Sequence, residues 1–523
     1  MQRRPWLSHT VIIIVILASI AVEMCFYKKI FHRSAQRKVV DYVQSQPQQA
    51  QLVTNPGTVE PGQYLSGLYY SNWSPYSPRM HFPHDIDLSR VSHIYYAFFL
   101  VDGATGALKL GDEWSDVGMD LYKPMAIKLN KLNPEVKNDL ERQRRILPNG
   151  CLGELFYMRN ANLFPNRNIR DFKVIMCVGG WSNREEFPKM VRNPKRVDKF
   201  IDSCIETMFK YGFDGIDLDW EFPEDDGFEP QMYLQLAKRL KERMNELEDA
   251  IFGPNMNHPK FQLSMATPAF SEKLDILPIT EMDKYIDIWN MMTYDYHGEW
   301  SEKTGYHCNL YNGSTKSFDE THQKHIYSTE SVEGLDAHSA IEHMLNVAGV
   351  NSHKICLGMA AYGRGFTNVV AQSTDKRFID KPFHGVGGAS DGEPGMWLYN
   401  QLPIQGTHEL FDPDYVSGFC YSSTSKTFVG YDSVESVRFK AQYVREKNLA
   451  GGFWWESCGD DHANQSRSLL NAFTNEIKFV SKFDDLMYRQ TPVLRYYVNK
   501  FGNDAFLSPF ILNLLAGQGE APH

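Results

Sequence analysis

Eight short apolar runs, separated by helix-patterned stretches, limit the fold of this chain more than any other feature of its sequence. They are GLYYSNW (67–73), HIYYAFFLV (93–101), KVIMCVGGW (173–181), FDGIDLDWEF (213–222), FQLSMATPA (261–269), IDIWNMMTYDY (286–296), KICLGMAAYG (354–363) and AGGFWWE (450–456). Their near-continuous apolarity fits strands buried on both faces, as in parallel sheets. Apolar residues recur at helical spacing between several of them, most clearly over 197–212, 231–251 and 433–448. Eight strands interleaved with helices predict an α/β chain closed as a (β/α)8 barrel.

Two connections are longer than a barrel needs. Residues 102–170 form an excursion after the second run, and residues 366–430, before the eighth, are enough for a small α+β insertion. Loops that follow barrel strands surround the catalytic face, so both are candidate cleft walls. Residues 479–523 read as a C-terminal extension in which FLSPFILNLLAG is too short and Pro-broken to span a membrane, and is expected to pack on the barrel.

At the other end, VIIIVILASIAV follows Arg3 and Arg4. It is shorter than the roughly 20 residues of a membrane span, and Ser19-Ile20-Ala21 offers a small-x-small cleavage site. Residues 1–27 therefore read as a signal peptide or a signal anchor. Lys28, Lys29, Arg33, Arg37 and Lys38 argue against an anchor with the bulk of the chain outside. A polar, Gln-rich stretch to residue 62 reads as a flexible stem, leaving 63–478 for the barrel. Entry into the secretory pathway is expected, with a membrane contact only if the leader stays uncleaved. Sequons at Asn312 and Asn464 fit that route, whereas the one at Asn72 lies in a strand run.

The net charge of −10 is moderate and no basic stripe follows the N-terminus, which argues against nucleic acid as a partner. Eight cysteines show no CxxC and no zinc-like pairing with histidine; Cys177 and Cys356, in strand runs, read as buried thiols. Aromatic residues make up 13% of the chain, which permits a carbohydrate cleft without requiring one.

The fourth run concentrates the chemistry. Asp214, Asp217, Asp219 and Glu221 fall within eight residues among apolar neighbours. Strand alternation sends Asp217, Asp219 and Glu221 to one face, roughly 6–7 Å apart, and Ile216, Leu218 and Trp220 to the other. Asp214 has the opposite parity and reads as structural. Three acids inside a barrel cannot all ionise at their usual pKa, so the row shares at least one proton. A carboxyl group kept protonated near neutrality is what leaving-group protonation in glycoside cleavage requires. Oxygen-rich rows also bind Mg²⁺ or Ca²⁺, but such ions usually take ligands from a turn.

DGIDLDWE matches the DxxDxDxE signature of glycoside hydrolase family 18, the chitinases. VGGW (178–181), MTYD (292–295), AYGRGF (361–366) and AGGFWWE (450–456) resemble that family's third-, sixth-, seventh- and eighth-strand motifs, in order. The resemblance spans about residues 65–475 and is closest to fungal members, with a yeast-type spore-wall enzyme among the candidates. It implies a TIM barrel hydrolysing chitin or N-acetylglucosamine oligomers, as a monomer, without metal or organic cofactor. It also implies substrate assistance in place of a second carboxylate nucleophile. Glu221 would be the general acid, Asp219 would orient the substrate's acetamido group and Asp217 would share its proton. Tyr294 would bond the acetamido oxygen, Asp295 would hold the distorted sugar and Trp455 would lie beneath it. Weaker cleft candidates by the same resemblance are Glu113, Trp114, Gly179, Gly180, Trp181 and Ser182, with Phe222, Met292, Thr293 and Arg364.

Adjacent residues in a regular strand point apart, so Tyr294 and Asp295 share the cleft only if the strand ends before them. Trp454 and Trp455 likewise alternate, leaving one for the core. The family's usual serine before SxGG is replaced here by Cys177, a weaker donor toward the inner aspartate. Two rival readings remain: a chitin-binding lectin of weak or no activity, and an endo-β-N-acetylglucosaminidase acting on N-glycans.

Overall fold

The structure is a computed structural model that describes residues 64–517, apart from 131–139, 161–171, 255–256, 314–316, 320–323, 327–333, 373, 389–392 and 481–485. The expected leader and stem lie outside the described residues. All eight apolar runs form strands: β1 (Leu65–Ser71), β2 (His93–Val101), β3 (Lys173–Gly179), β4 (Gly215–Asp219), β5 (Gln262–Pro268), β6 (Ile288–Met292), β7 (Ile355–Ala360) and β8 (Gly451–Trp455). Each pairs in parallel with the next, and β1 pairs with both β2 (Gly67 opposite His93) and β8 (Leu65 opposite Gly451), which closes the barrel. Most strands stop short of the apolar runs, and the surplus residues build the catalytic rim.

Alternation divides the core. Outward residues such as Leu68, Ile94, Met176, Ile216, Leu218 and Trp289 pack beneath the helices. Inward residues such as Tyr69, Tyr95, Cys177, Cys356 and Phe453 fill the barrel, where the Tyr69 and Tyr95 rings stack at 4.8 Å. The outer helix Pro194–Lys210 shows why the intervening stretches are helical. Asn193 caps it by accepting from the Lys195 amide, Pro194 starts it, and Val197, Phe200, Ile201, Cys204, Ile205 and Met208 form one buried stripe. Each such side chain contributes about 1.5–3 kcal/mol relative to exposure.

The insertion begins at Tyr362, earlier than the sequence implied. It is a five-stranded antiparallel sheet in the order Met396–Leu398, Tyr362–Phe366, Thr427–Tyr431, Ser417–Ser422, Leu410–Asp412. Its helical content among the described residues is one 3-10 turn, Tyr399–Gln401. Tyr362–Phe366 continues directly from β7, so the wall it carries is tied to the barrel. The C-terminal helices Thr491–Phe501 and Ser508–Gly517 pack on the barrel's outer helices. Tyr488 and Tyr497 donate to the Phe209 and Lys210 carbonyls, last-turn acceptors that a helix end leaves unpaired. No helix among the described residues is long and apolar enough to cross a membrane. The seven described cysteines are buried, and Cys151, Cys177, Cys204, Cys308, Cys356 and Cys420 are free thiols. Of the sequons, Asn464 is exposed, while Asn72 is buried and donates to Asp116 at 3.0 Å.

Asp214 anchors the strand that carries the acids. Its Oδ2 accepts from the Val174 amide at 2.9 Å and from Arg159, which also donates to the Gly212 carbonyl at 2.6 Å. Burial pushes the Asp214 carboxyl up, and the Arg159 guanidinium opposes it. Removing one partner strands a buried charge. Asp214→Ala should therefore cost about 3–5 kcal/mol in chemical unfolding, and an unchanged unfolding midpoint would contradict the pairing.

Candidate active site

The acid row sits where alternation places it. Asp217 and Asp219 point into the barrel from β4, while Trp220 turns outward and stacks on Phe187 at 5.2 Å. Glu221 lies just beyond the strand, half-buried. Asp217 is fully buried and accepts from Tyr69 (2.7 Å), Ser264 (2.6 Å) and Asn290 (3.2 Å). Burial raises it to about 6, against those three donors and a weaker contribution from Cys177, which pairs with it across the β3–β4 ladder. Asp217 is thus served by hydroxyls from β1 and β5 and an amide from β6 besides the thiol at position 177.

Asp219 is held well above the usual carboxylate range by burial and by its neighbours Glu221 and Asp217. Its Oδ1 has no hydrogen-bond partner among the described residues. Glu221 is raised to about 7, first by burial and then by the charge of Asp295, while the Trp181 amide and Arg184 pull it down. The turn that delivers this amide requires glycine. Gly179 and Gly180 have φ of 119° and 82°, and a Cβ on them would lie 2.1 Å from the Asp219 carbonyl and 2.7 Å from the Phe98 ring.

Strand β6 ends at Met292, before the Tyr-Asp pair. Asp295 has φ of 61°, a left-handed conformation that turns the chain and lets both adjacent side chains serve one site. Tyr294 packs edge-on against Tyr362 and Phe453, each at 6.2 Å. Asp295 receives Arg364 at both oxygens (2.8 and 3.0 Å) and the Tyr362 hydroxyl at 2.7 Å. Burial works against its ionisation, but the Arg364 guanidinium outweighs it and holds the carboxyl well below its ordinary value. One acid is therefore fixed as an anion beside a row that resists ionising.

A cleft of about 440 Å³ opens above, lined among others by Trp73, Asp295, Tyr362, Arg364 and Trp455. Trp455 lies 5.6 Å from Tyr69 and 5.8 Å from Phe98, whereas Trp454 is core against Phe473. Arg79 and Glu456 form a buried ion pair at the cleft wall. Trp181 (59% exposed) and Ser182 project from the turn after β3, and Phe222 and Met292 are half-buried at the ends of β4 and β6. Glu113 and Trp114 are exposed at the start of the π-helical turn Trp114–Gly118, tied to the rim by Tyr76 donating to Asp112 at 2.8 Å. Thr293 is not brought to the cleft: it is fully buried and donates to the Gly358 carbonyl at 2.6 Å. Tyr69, Ser264, Asn290, Tyr362 and His307 were not singled out from sequence. Ser264 and Asn290 carried a usable signal, as polar residues at inward positions of apolar strands.

The row makes stability pH-dependent. Glu221 in the unfolded chain titrates near its ordinary 4.5, and in the folded chain near 7, so the folded state holds the extra proton between those values. The stabilisation is complete below the lower value and lost as pH rises through the upper one. Glu221→Gln should accordingly raise the melting temperature over wild type above neutrality and not below the lower value. An equal difference on both sides would contradict a buried, protonated Glu221.

Comparison with known proteins agrees with this geometry. The model of glycosyl hydrolases family 18 matches residues 66–460. The chain is 45% identical to the sporulation-specific chitinase 2 of Saccharomyces cerevisiae, over 97% of this chain and 96% of that protein. It is 29% identical to endochitinase 1 of Metarhizium robertsii, over 81% and 88% respectively. Among solved structures, chitinase ChiA74 of Bacillus thuringiensis superposes with a TM-score of 0.62 at 23% identity, covering 80% of this chain and 71% of that one. A class V chitinase of Nicotiana tobaccum, in complex with NAG4, superposes at 0.58 with 21% identity, covering 80% and 100%. The closed barrel, the acid row at its mouth and the family match together place this chain in glycosyl hydrolase family 18, as a glycoside hydrolase.

Proposed function

We propose that this enzyme is a chitinase, cleaving β-1,4 bonds between N-acetylglucosamine units with retention through substrate assistance. The observation that carries this reading is the inward row on β4, where Glu221, raised to about 7, follows an Asp219 that burial and its neighbours hold well above the usual carboxylate range. Protonated Glu221 donates to the glycosidic oxygen as the bond to the anomeric carbon breaks. The acetamido carbonyl oxygen of the same sugar attacks that carbon, giving an oxazolinium ion. Asp219 Oδ1, unpartnered in the free site, receives the acetamido N–H, with the shared proton lying toward Asp217. Tyr294 bonds the acetamido oxygen, anionic Asp295 steadies the distorted ring and Trp455 supports its apolar face. Glu221, now ionised, takes a proton from the water that opens the oxazolinium ion and is thereby restored.

The reading extends to secretion through the N-terminal leader, to glycosylation at exposed Asn464 and to action on a fungal cell or spore wall. The last is supported by the yeast relative named for sporulation.

Turnover of short N-acetylglucosamine oligomers tests the chemistry. Glu221→Gln should lose about 100-fold or more in kcat while still binding the oligomer. Binding without turnover by wild type would indicate a lectin, and release of glycans from glycoprotein with no chitin cleavage would indicate an endoglycosidase.

The acid must be protonated to act, so kcat/KM should fall as pH rises through about 7. Because three donors other than Cys177 serve Asp217, Cys177→Ser should retain or raise activity. Ser264→Ala, which removes the shortest of those bonds, should lower kcat about tenfold. Loss of activity in Cys177→Ser would overturn this description of Asp217.

A further inference from the structure

The left-handed turn at Asp295 has a second support outside the residues that face the cleft. His307 is fully buried, and its Nε2 lies 3.0 Å from the Tyr362 carbonyl. A carbonyl only accepts, so Nε2 carries the proton and, in neutral imidazole, Nδ1 is a bare acceptor. That Nδ1 faces two atoms of one residue: the Asp295 amide nitrogen at 3.5 Å and Asp295 Oδ1 at 3.6 Å. The two make opposite demands. The N–H needs a neutral Nδ1, and the carboxylate is drawn to a protonated one.

We propose that His307 is a positioning residue for Asp295: neutral, it accepts the Asp295 amide and fixes the turn; protonated, it releases the amide and draws the carboxylate from the cleft. Oδ1 already accepts from Tyr362 and Arg364, so an imidazolium competes with both for the same oxygen. The contact to the amide is long in the free enzyme, as catalytic-site hydrogen bonds commonly are before substrate binds. The charged and titratable groups facing the ring are Asp295, Arg364 and Asp432, with the Tyr362 ring at 4.8 Å. Asp432 is paired with Lys440 at 2.6 Å, and Lys440 also donates to the Cys308 carbonyl. Burial lowers His307 below its ordinary value and outweighs Asp295, which acts in the opposite sense. The neutral form therefore prevails at neutral pH, and protonation shapes only the acid side of the rate profile. Asp295 and Tyr294 leave the cleft together when the turn relaxes, so the effect falls on kcat more than on KM.

This inference rests on the chitinase reading, and one experiment separates the two. The N-acetylglucosamine tetramer is hydrolysed by wild type, His307→Asn and His307→Leu from about pH 4 to about pH 8. Asparagine keeps an acceptor near Nδ1 but does not titrate. His307→Asn should retain neutral-pH kcat within about twofold, with its acid limb displaced to lower pH. His307→Leu should lose kcat about fivefold at neutral pH with little change in KM. If the leucine variant does not fold, His307→Gln replaces it with the same expectation, since it keeps the donor to Tyr362 and lacks the Nδ1 acceptor. A wild-type acid limb in His307→Asn, or wild-type kcat in the variant lacking the acceptor, overturns the assignment. A wild type that fails to cleave the tetramer at any pH defeats the chitinase reading itself, and this inference with it.

Discussion

Burial of Asp217, Asp219 and Glu221 together inside a desolvated barrel is the constraint on which the rest of the site depends. In water these carboxyls would ionise independently near 4. On one face of a buried strand, burial raises all of them, and the neighbouring Glu221 and Asp217 raise Asp219 further. The result is a graded row, with Asp217 near 6, Glu221 near 7 and Asp219 well above its ordinary value. Such a row destabilises the fold at alkaline pH, and burial, with the charge of Asp295 added to it, keeps a proton on Glu221, where it can be donated to a leaving group.

The surrounding structure holds that row in place. Arg159 and Asp214 pin the start of β4 from below, and Trp220 locks its end from outside against Phe187 and Tyr233. The Gly179–Gly180 turn brings a backbone amide to Glu221 that no side chain could supply in so small a space. Across the cleft, Arg364 treats Asp295 in the opposite way, as a paired anion. Two carboxyl environments of opposite sign thus face one another over the substrate position.

Much of this was legible in the sequence because strand alternation is strict. The same parity that put Asp217, Asp219 and Glu221 together also separated Asp214, and a strand ending before Tyr294 was the stated condition for its sharing the cleft with Asp295. What alternation does not encode is which strands are neighbours across the barrel. Tyr69, Ser264 and Asn290 come from β1, β5 and β6 and converge only on closure, so the sequence did not show that Asp217 has three donors besides Cys177. His307 was hidden for a related reason: it reaches Asp295 through a loop whose path is set by the insertion sheet. The left-handed backbone at Asp295 had no sequence signal, because aspartate tolerates that conformation without glycine.

The most direct test of the graded row is an infrared titration of the free enzyme's protonated carboxyl band, taken as the difference between wild type and Glu221→Gln. Glu221 should titrate near 7, with carboxyl absorption from the remaining row persisting at neutral pH. A row in which all three groups lose their protons together in the ordinary carboxylate range, about 4, would contradict it.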